Sequence, residues 1–199
     1  MAIHFQKELS KVKKSILTLG AMVEDRVRQA AEAVENKDAG LAETVINADH
    51  EIDEMEVDIE EECLKILALH QPVAVDLRFL IAVIKINNEL ESIGDQAVNI
   101  AQRVAVMAKQ KTFSFVFDYA VMAEKAQEML KKSLDSLVNL DLDLAFRVLV
   151  MDDEVDQIQK QAYDEIKAAM AAGSSDGHGY LINLLLVSRH LERLADHAT

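Results

Sequence analysis

Tryptophan is missing from this chain, and proline and cysteine each occur once. One cysteine, Cys63, excludes an internal disulfide framework and suits a reducing, cytoplasmic compartment. A single proline and six glycines among 199 residues leave too little turn chemistry for a many-stranded sandwich or barrel. Basic residues are also scarce. The net charge of −14 argues against a nucleic-acid partner, because nothing offsets the phosphate charge unless basic side chains cluster. The visible cluster, Lys7, Lys11, Lys13 and Lys14, reads as a solvated helix face. No uncharged apolar run approaches the ~18 residues needed to cross a bilayer, and the start at Met1 is amphipathic rather than signal-like. The longest candidate run, Phe79 to Ile84, is closed by Lys85.

What remains is half hydrophobic and rich in Ala, Leu, Glu, Lys and Asp, a composition for helix nearly throughout. Apolar residues stepping by three or four predict a first helix over about 5–35, on Leu9, Val12, Ile16, Leu19, Val23, Val27 and Ala30. A turn at 36–40 places Asp38 to cap a second helix, which runs to about His70 and stops before Pro72. A third helix is expected from about Val75 to Gln110, with Asp76 favourably placed in its first turn. Thr112 to Phe115 reads as a connector. Val116, Ala120, Ala123 and Leu130 then mark a fourth helix, Asn139-Leu140-Asp141 a second capped turn, and a fifth helix runs to about Ala172. The Gly173 to Gly179 stretch breaks it as an interhelical turn rather than a phosphate-binding loop, and a sixth helix starts near Tyr180. Cys63 lies on the second helix's apolar stripe and is expected in the core.

The two halves repeat each other. Residues 36–53 match 139–156 at an offset of 103, and the third-helix segments match at an offset of 101. The reading is an all-α fold of six long helices: a tandem pair of three-helix bundles, 1–111 and 116–199, related by a pseudo-two-fold axis. The last helix stops at Thr199, about ten residues short of its counterpart, so the equivalent of Asn99 would be residue 200.

Four carboxylate pairs stand at four-residue spacing in equivalent places: Asp49/Asp53 and Glu91/Asp95, then Asp152/Asp156 and Glu192/Asp196. Any one pair is an ordinary wet helix face, as Glu124/Glu128 illustrates, since like charges one turn apart cost only ~0.2–0.5 kcal/mol. The pairs nevertheless align across the hairpins. Asp53 and Glu91 lie 19 residues either side of Pro72, and Asp49 and Asp95 lie 23 either side. In the second half Asp156 and Glu192 are each 18 from Ser174, and Asp152 and Asp196 each 22. Antiparallel helices of equal rise bring each set of four level. The nearest basic side chains are Lys85, Arg103, Arg189 and Arg193, of which Arg193 could answer part of the second quartet. Such uncompensated clusters raise their own pKa values, and a hard cation accepting oxygen ligands (Mg²⁺, Mn²⁺, Ca²⁺ or iron) would relieve them. His50, His190 and His197 flank the motifs but point ~100° away around the helix. The di-iron signature Glu-x-x-His is absent, and no nucleophile–base arrangement is visible.

The two quartets, the segment Gln71-Pro72-Val73-Ala74-Val75-Asp76-Leu77-Arg78 and the motif Leu90-Glu91-Ser92-Ile93-Gly94-Asp95 together resemble the PhoU family over essentially the whole chain. Its Glu/Asp-x-x-x-Asp motifs match all four pairs. The resemblance implies multinuclear metal clusters on the acidic faces, holding divalent or iron ions (Fe, Mn, Mg or Zn). It also implies a non-enzymatic negative regulator of phosphate uptake and of the phosphate-starvation response. Such a regulator contacts the phosphate ABC transporter's ATPase and a membrane sensor histidine kinase, usually as a homodimer, without inserting into the membrane. Two rivals stay open from the residues alone: a metal-dependent enzyme, which would need a sheltered pocket and a base, and a metal-free structural adaptor.

Overall fold

The computed structural model describes residues 2–110, 117, 119–172 and 177–199. Among these there is helix and no strand. The helices are α1 (Ala2–Asn36), α2 (Ala39–Asn47), α3 (His50–His70), α4 (Ala74–Met107), α5 (Tyr119–Asn139), α6 (Leu142–Ala172) and α7 (His178–Ala198). The expected connector at 112–115, the helical start at Val116 and most of the 173–179 turn fall outside the described residues.

One expectation needs correction. The second helix is interrupted at Ala48–Asp49, where the Ala48 N–H donates to the carbonyls of both Thr44 and Val45. Asn47 and Asp49 are residues whose short polar side chains compete with helical backbone bonds, and the His50 ring sits 3.0 Å from the Asn47 carbonyl. Repeat two carries Val150, Met151 and Asp152 there and stays helical.

The repeat is otherwise visible down to its turns. Lys37 and Leu140 both adopt φ of 52°. The Asp38 N–H donates to the Ala33 carbonyl and that of Asp141 to Ser136, each at 3.0 Å. The Asp38 carboxylate then accepts from the Gly40 and Leu41 N–H groups, and the Asp141 carboxylate from Leu144 N–H. These caps satisfy donors that a helix N-terminus leaves unpaired.

Within the first repeat α1, α3 and α4 pack together, and within the second α5, α6 and α7. The repeats join through α4 against α7 and α1 against α5, so these four helices form the centre. Two hydrogen-bonded pairs set the α4–α7 register as antiparallel: His197 Nδ1 with Glu89 Oε2 at 2.7 Å, and His190 Nδ1 with Gln96 Oε1 at 2.9 Å. Glu89 and His190 are equivalent positions of the two repeats, as are Gln96 and His197, so the pseudo-two-fold exchanges one pair with the other. No helix among the described residues is long and apolar enough to cross a membrane.

Cys63 is fully buried, as its place on the stripe predicts, and burial pushes its thiol up to about 11. A thiol there ionises about a hundredfold less at mildly alkaline pH than an exposed one. Native protein is therefore expected to resist maleimide or disulfide reagents until denaturant is added. Rapid stoichiometric labelling of the folded chain would show that α3 does not pack this way.

Candidate metal centre

Each quartet is built by a helix hairpin. The α3–α4 hairpin turns at Gln71–Pro72, with Gln71 left-handed at φ 45° and its N–H donating to the Leu67 carbonyl. Two contacts fix its register. Asn87, which is buried, donates from Nδ2 to the Glu56 carbonyl at 2.8 Å and to its Oε1 at 3.2 Å. About two turns further along, a Cβ on Gly94 would stand 3.1 Å from Ile52 Cδ1. Gly94 has no positive φ, so its role is close approach: the missing side chain lets α3 come down onto α4 between Glu91 and Asp95. Its counterpart Ala195, also buried, is the next smallest residue.

Across this register the carboxylates act on one another's charge. Burial, and then the charges of Asp53 and Asp95, hold the Asp49 carboxyl above its ordinary range, while the His50 side chain opposes the rise. Burial followed by Asp95, Asp53 and Glu56 does the same to Glu91, against a hydroxyl bond from Ser92. In repeat two, burial raises Asp152, helped by Asp196, Asp156 and Asp153. Glu192 is raised by burial, Asp196, Asp156 and Asp152, with Arg189 opposing. The eight predicted carboxylates thus fall into two quartets, within each of which charge is felt across the hairpin.

The burial pattern is the same in both. Asp49 and Glu91 are half-buried while Asp53 and Asp95 are exposed, and Asp152, Glu192, Asp156 and Asp196 repeat this diagonal. Glu91 is thus not on a fully solvent-side face, although at ~100° per residue it points away from the buried Leu90, Ile93 and Ala97 of the same helix. None of the eight forms an ion pair with Lys, Arg or His among the described residues, although Arg26, Lys11 and Lys125 pair elsewhere. Arg189, not Arg193, is the basic side chain that Glu192 feels; Arg193 acts on His190 instead.

Sequence reasoning missed Glu56. It stands one turn beyond Asp53, accepts from Asn87, and is raised by burial, Glu60 and Asp53. Its counterpart in repeat two is Gln159, so the first quartet carries a fifth carboxylate that the second lacks. The available signal was the difference between the repeats at this position, Glu56 against Gln159, which the acids common to both repeats do not show.

Carboxylate oxygens with no basic partner are the donor set of a hard cation. Among the described residues no three His, Cys, Asp or Glu side chains stand close enough to hold an ion as they are. The donors fit such an ion by their chemistry, oxygen ligands without a basic partner.

Without metal, the raised carboxyls cost the fold stability. A carboxyl held above its unfolded pKa contributes fully below that unfolded value and loses its contribution as pH rises through the folded one. At neutral pH in chelator, Glu91→Gln is therefore expected to raise the melting temperature by a few degrees, and the gain should fade as pH falls to about 4. A lower melting temperature for Glu91→Gln at neutral pH would contradict the repulsion.

Comparison with known proteins supplies the context. A family profile described as the PhoU domain matches residues 16–104 and again 120–199. A phosphate-specific transport system accessory protein PhoU homolog of Clostridium acetobutylicum is 34% identical over 196 residues, covering 98% of this chain and 89% of that protein. The homolog of Aquifex aeolicus is 35% identical, covering 94% and 84%. Among solved structures, PhoU from Pseudomonas aeruginosa superposes with a TM-score of 0.90 at 35% identity over 98% of this chain and 93% of the other. The phosphate transport system regulatory protein PhoU from Streptococcus pneumoniae gives 0.88 at 30%, over 98% and 91%.

Proposed function

Because the chain belongs to the PhoU family, matched in both of its repeats, we propose that it regulates phosphate uptake and the phosphate-starvation response through metal-dependent protein contacts. Its role in the regulation of phosphate transport follows from the family, a family of accessory and regulatory proteins. The finer reading is a cytoplasmic, non-catalytic homodimer. It restrains a phosphate ABC transporter by touching its ATPase and reports to a membrane sensor histidine kinase.

One observation supports the metal-dependent part. The same pattern of four carboxylates recurs around two loops of different composition, and among the described residues neither copy has a Lys or Arg ion pair. Divalent or iron ions (Fe, Mn, Mg or Zn) would be held by Asp49, Asp53, Glu91 and Asp95 on one hairpin. Asp152, Asp156, Glu192 and Asp196 would hold them on the other. When bound, such ions supply positive charge that cancels carboxylate repulsion; no redox step is invoked. The chain's own residues do the rest. Gly94 and Ala195 set the approach of the helices, the half-buried Asp and Glu anchor the floor of each groove, and the exposed pair presents a rim to a partner.

Metal analysis of protein purified without chelator tests this reading. Bound metal, and a higher melting temperature on adding Mn²⁺ to stripped protein, are expected. Metal-free protein with an unchanged melting temperature would leave a metal-free adaptor. Turnover of generic phosphoesters by the loaded protein would favour the enzyme.

A further inference from the structure

The two repeats differ sharply along one outer face. On the first turns of α6, Leu142, Phe146 and Val150 point to solvent, 73%, 65% and 64% exposed. They recur every four residues and lie opposite Val148 and Val155, which bury against the rest of repeat two. At the matching positions of repeat one stand Ala39, Glu43 and Asn47, likewise exposed. The same place in the same architecture is thus small or polar in one repeat and a bulky apolar ridge in the other. Core packing does not require the ridge, since repeat one does without it.

We propose that this ridge is where two copies of the chain associate, α6 against α6 about a two-fold axis through Phe146. The proposal rests on the reading of the protein as a homodimer and assigns its surface. Three features favour a second copy over another partner. The ridge is self-complementary: an antiparallel α6 pair sets Phe146 on its own mate and Leu142 on Val150, ridge to ridge. The flanking charges are self-complementary too. Asp143 and Arg147 lie on one flank, both exposed, and neither makes an ion pair among the described residues. In an antiparallel pair that flank meets itself, so Asp143 of one copy comes beside Arg147 of the other, twice. Finally, with Leu140 and Leu149 alongside, the ridge offers roughly 500 Å² of apolar surface, the upper range for a patch on a monomer. That is the apolar centre of a standard interface of about 800 Å² per partner.

A residue on a two-fold axis faces itself, and that gives the test. Phe146→Cys treated with a short bis-maleimide is expected to yield at least ~10-fold more covalent dimer than Glu43→Cys, its equivalent in repeat one; Cys63 is buried and silent. In sedimentation at micromolar concentration the parent should be a dimer and Phe146→Glu a monomer. Phe146→Glu should keep the parent's helical content, since the side chain is exposed in the isolated chain, and should lose the concentration dependence of the parent dimer's melting temperature; Val150→Glu is the second variant should Phe146→Glu lose helical content. A dimeric Phe146→Glu overturns this surface while leaving the homodimer reading intact. A monomeric parent overturns both. A monomeric parent whose capture of a partner protein is lost in Phe146→Glu overturns the self-association and assigns the ridge to that partner.

Discussion

Gly94→Leu is expected to destabilise the protein by about 1–3 kcal/mol, the usual cost of overpacking a close contact, and to weaken Mn²⁺ binding at the first quartet at least tenfold. Even a Cβ at this position would sit 3.1 Å from Ile52 Cδ1 and 3.3 Å from its Cγ2. Ile52 is itself buried, and it belongs to the helix that carries Asp53 and starts just after Asp49. A leucine must therefore push α3 away from α4 beside Glu91 and Asp95. Gly94→Ala is the informative contrast. A methyl group asks Ile52 to give by a few tenths of an ångström, while removing glycine from a helix interior gains up to about 1 kcal/mol. The alanine variant should come out near neutral. Denaturant titration and a metal titration of the two variants decide it. A leucine variant as stable as the parent, with metal affinity intact, would show that close helix approach at Gly94 does not set the site.

The other large effect comes from the neighbouring residue in each motif. Leu90 and Leu191 precede Glu91 and Glu192, and both are almost completely buried. Leu90→Ala and Leu191→Ala should each cost about 2–5 kcal/mol, the transfer free energy of the lost methyl groups plus the cavity left behind. Against the ~5–15 kcal/mol of a typical domain this is a large fraction. Because α4 packs on α7 across the repeats, both variants should lower one shared unfolding transition, seen as an earlier denaturant midpoint with an unchanged slope. Independent transitions for the two halves would contradict the joint core. One position along the chain thus separates two roles, with loss of stability on truncating the leucine and a gain on neutralising the glutamate.

Much of this was legible beforehand. Apolar steps of three and four located the long helices, and the single proline, as the pivot of a hairpin, sufficed to level Asp53 with Glu91 and Asp49 with Asp95. Periodicity could not anticipate the break at Ala48–Asp49, because the apolar stripe from Val45 to Ile52 runs straight through it. Nor could it anticipate the diagonal burial of each quartet, which depends on how closely α3 approaches α4 at Gly94. Helical angles alone place Glu91 opposite the core stripe; the groove made by a second helix half-covers it. Arg193 was the apparent counter-ion from its place beside Glu192, but consecutive residues diverge by ~100° around the helix. Arg189, three residues before Glu192, lies nearer the same face.

Metal-dependent recognition is the centre of the account. Its most direct test is capture of the phosphate transporter's ATPase by the immobilised chain with Mn²⁺ present, set against the same capture in chelator. Retention with Mn²⁺, loss in chelator, and loss in a variant carrying Asp53→Asn, Asp95→Asn, Asp156→Asn and Asp196→Asn are predicted. Equal capture under all three conditions would contradict it.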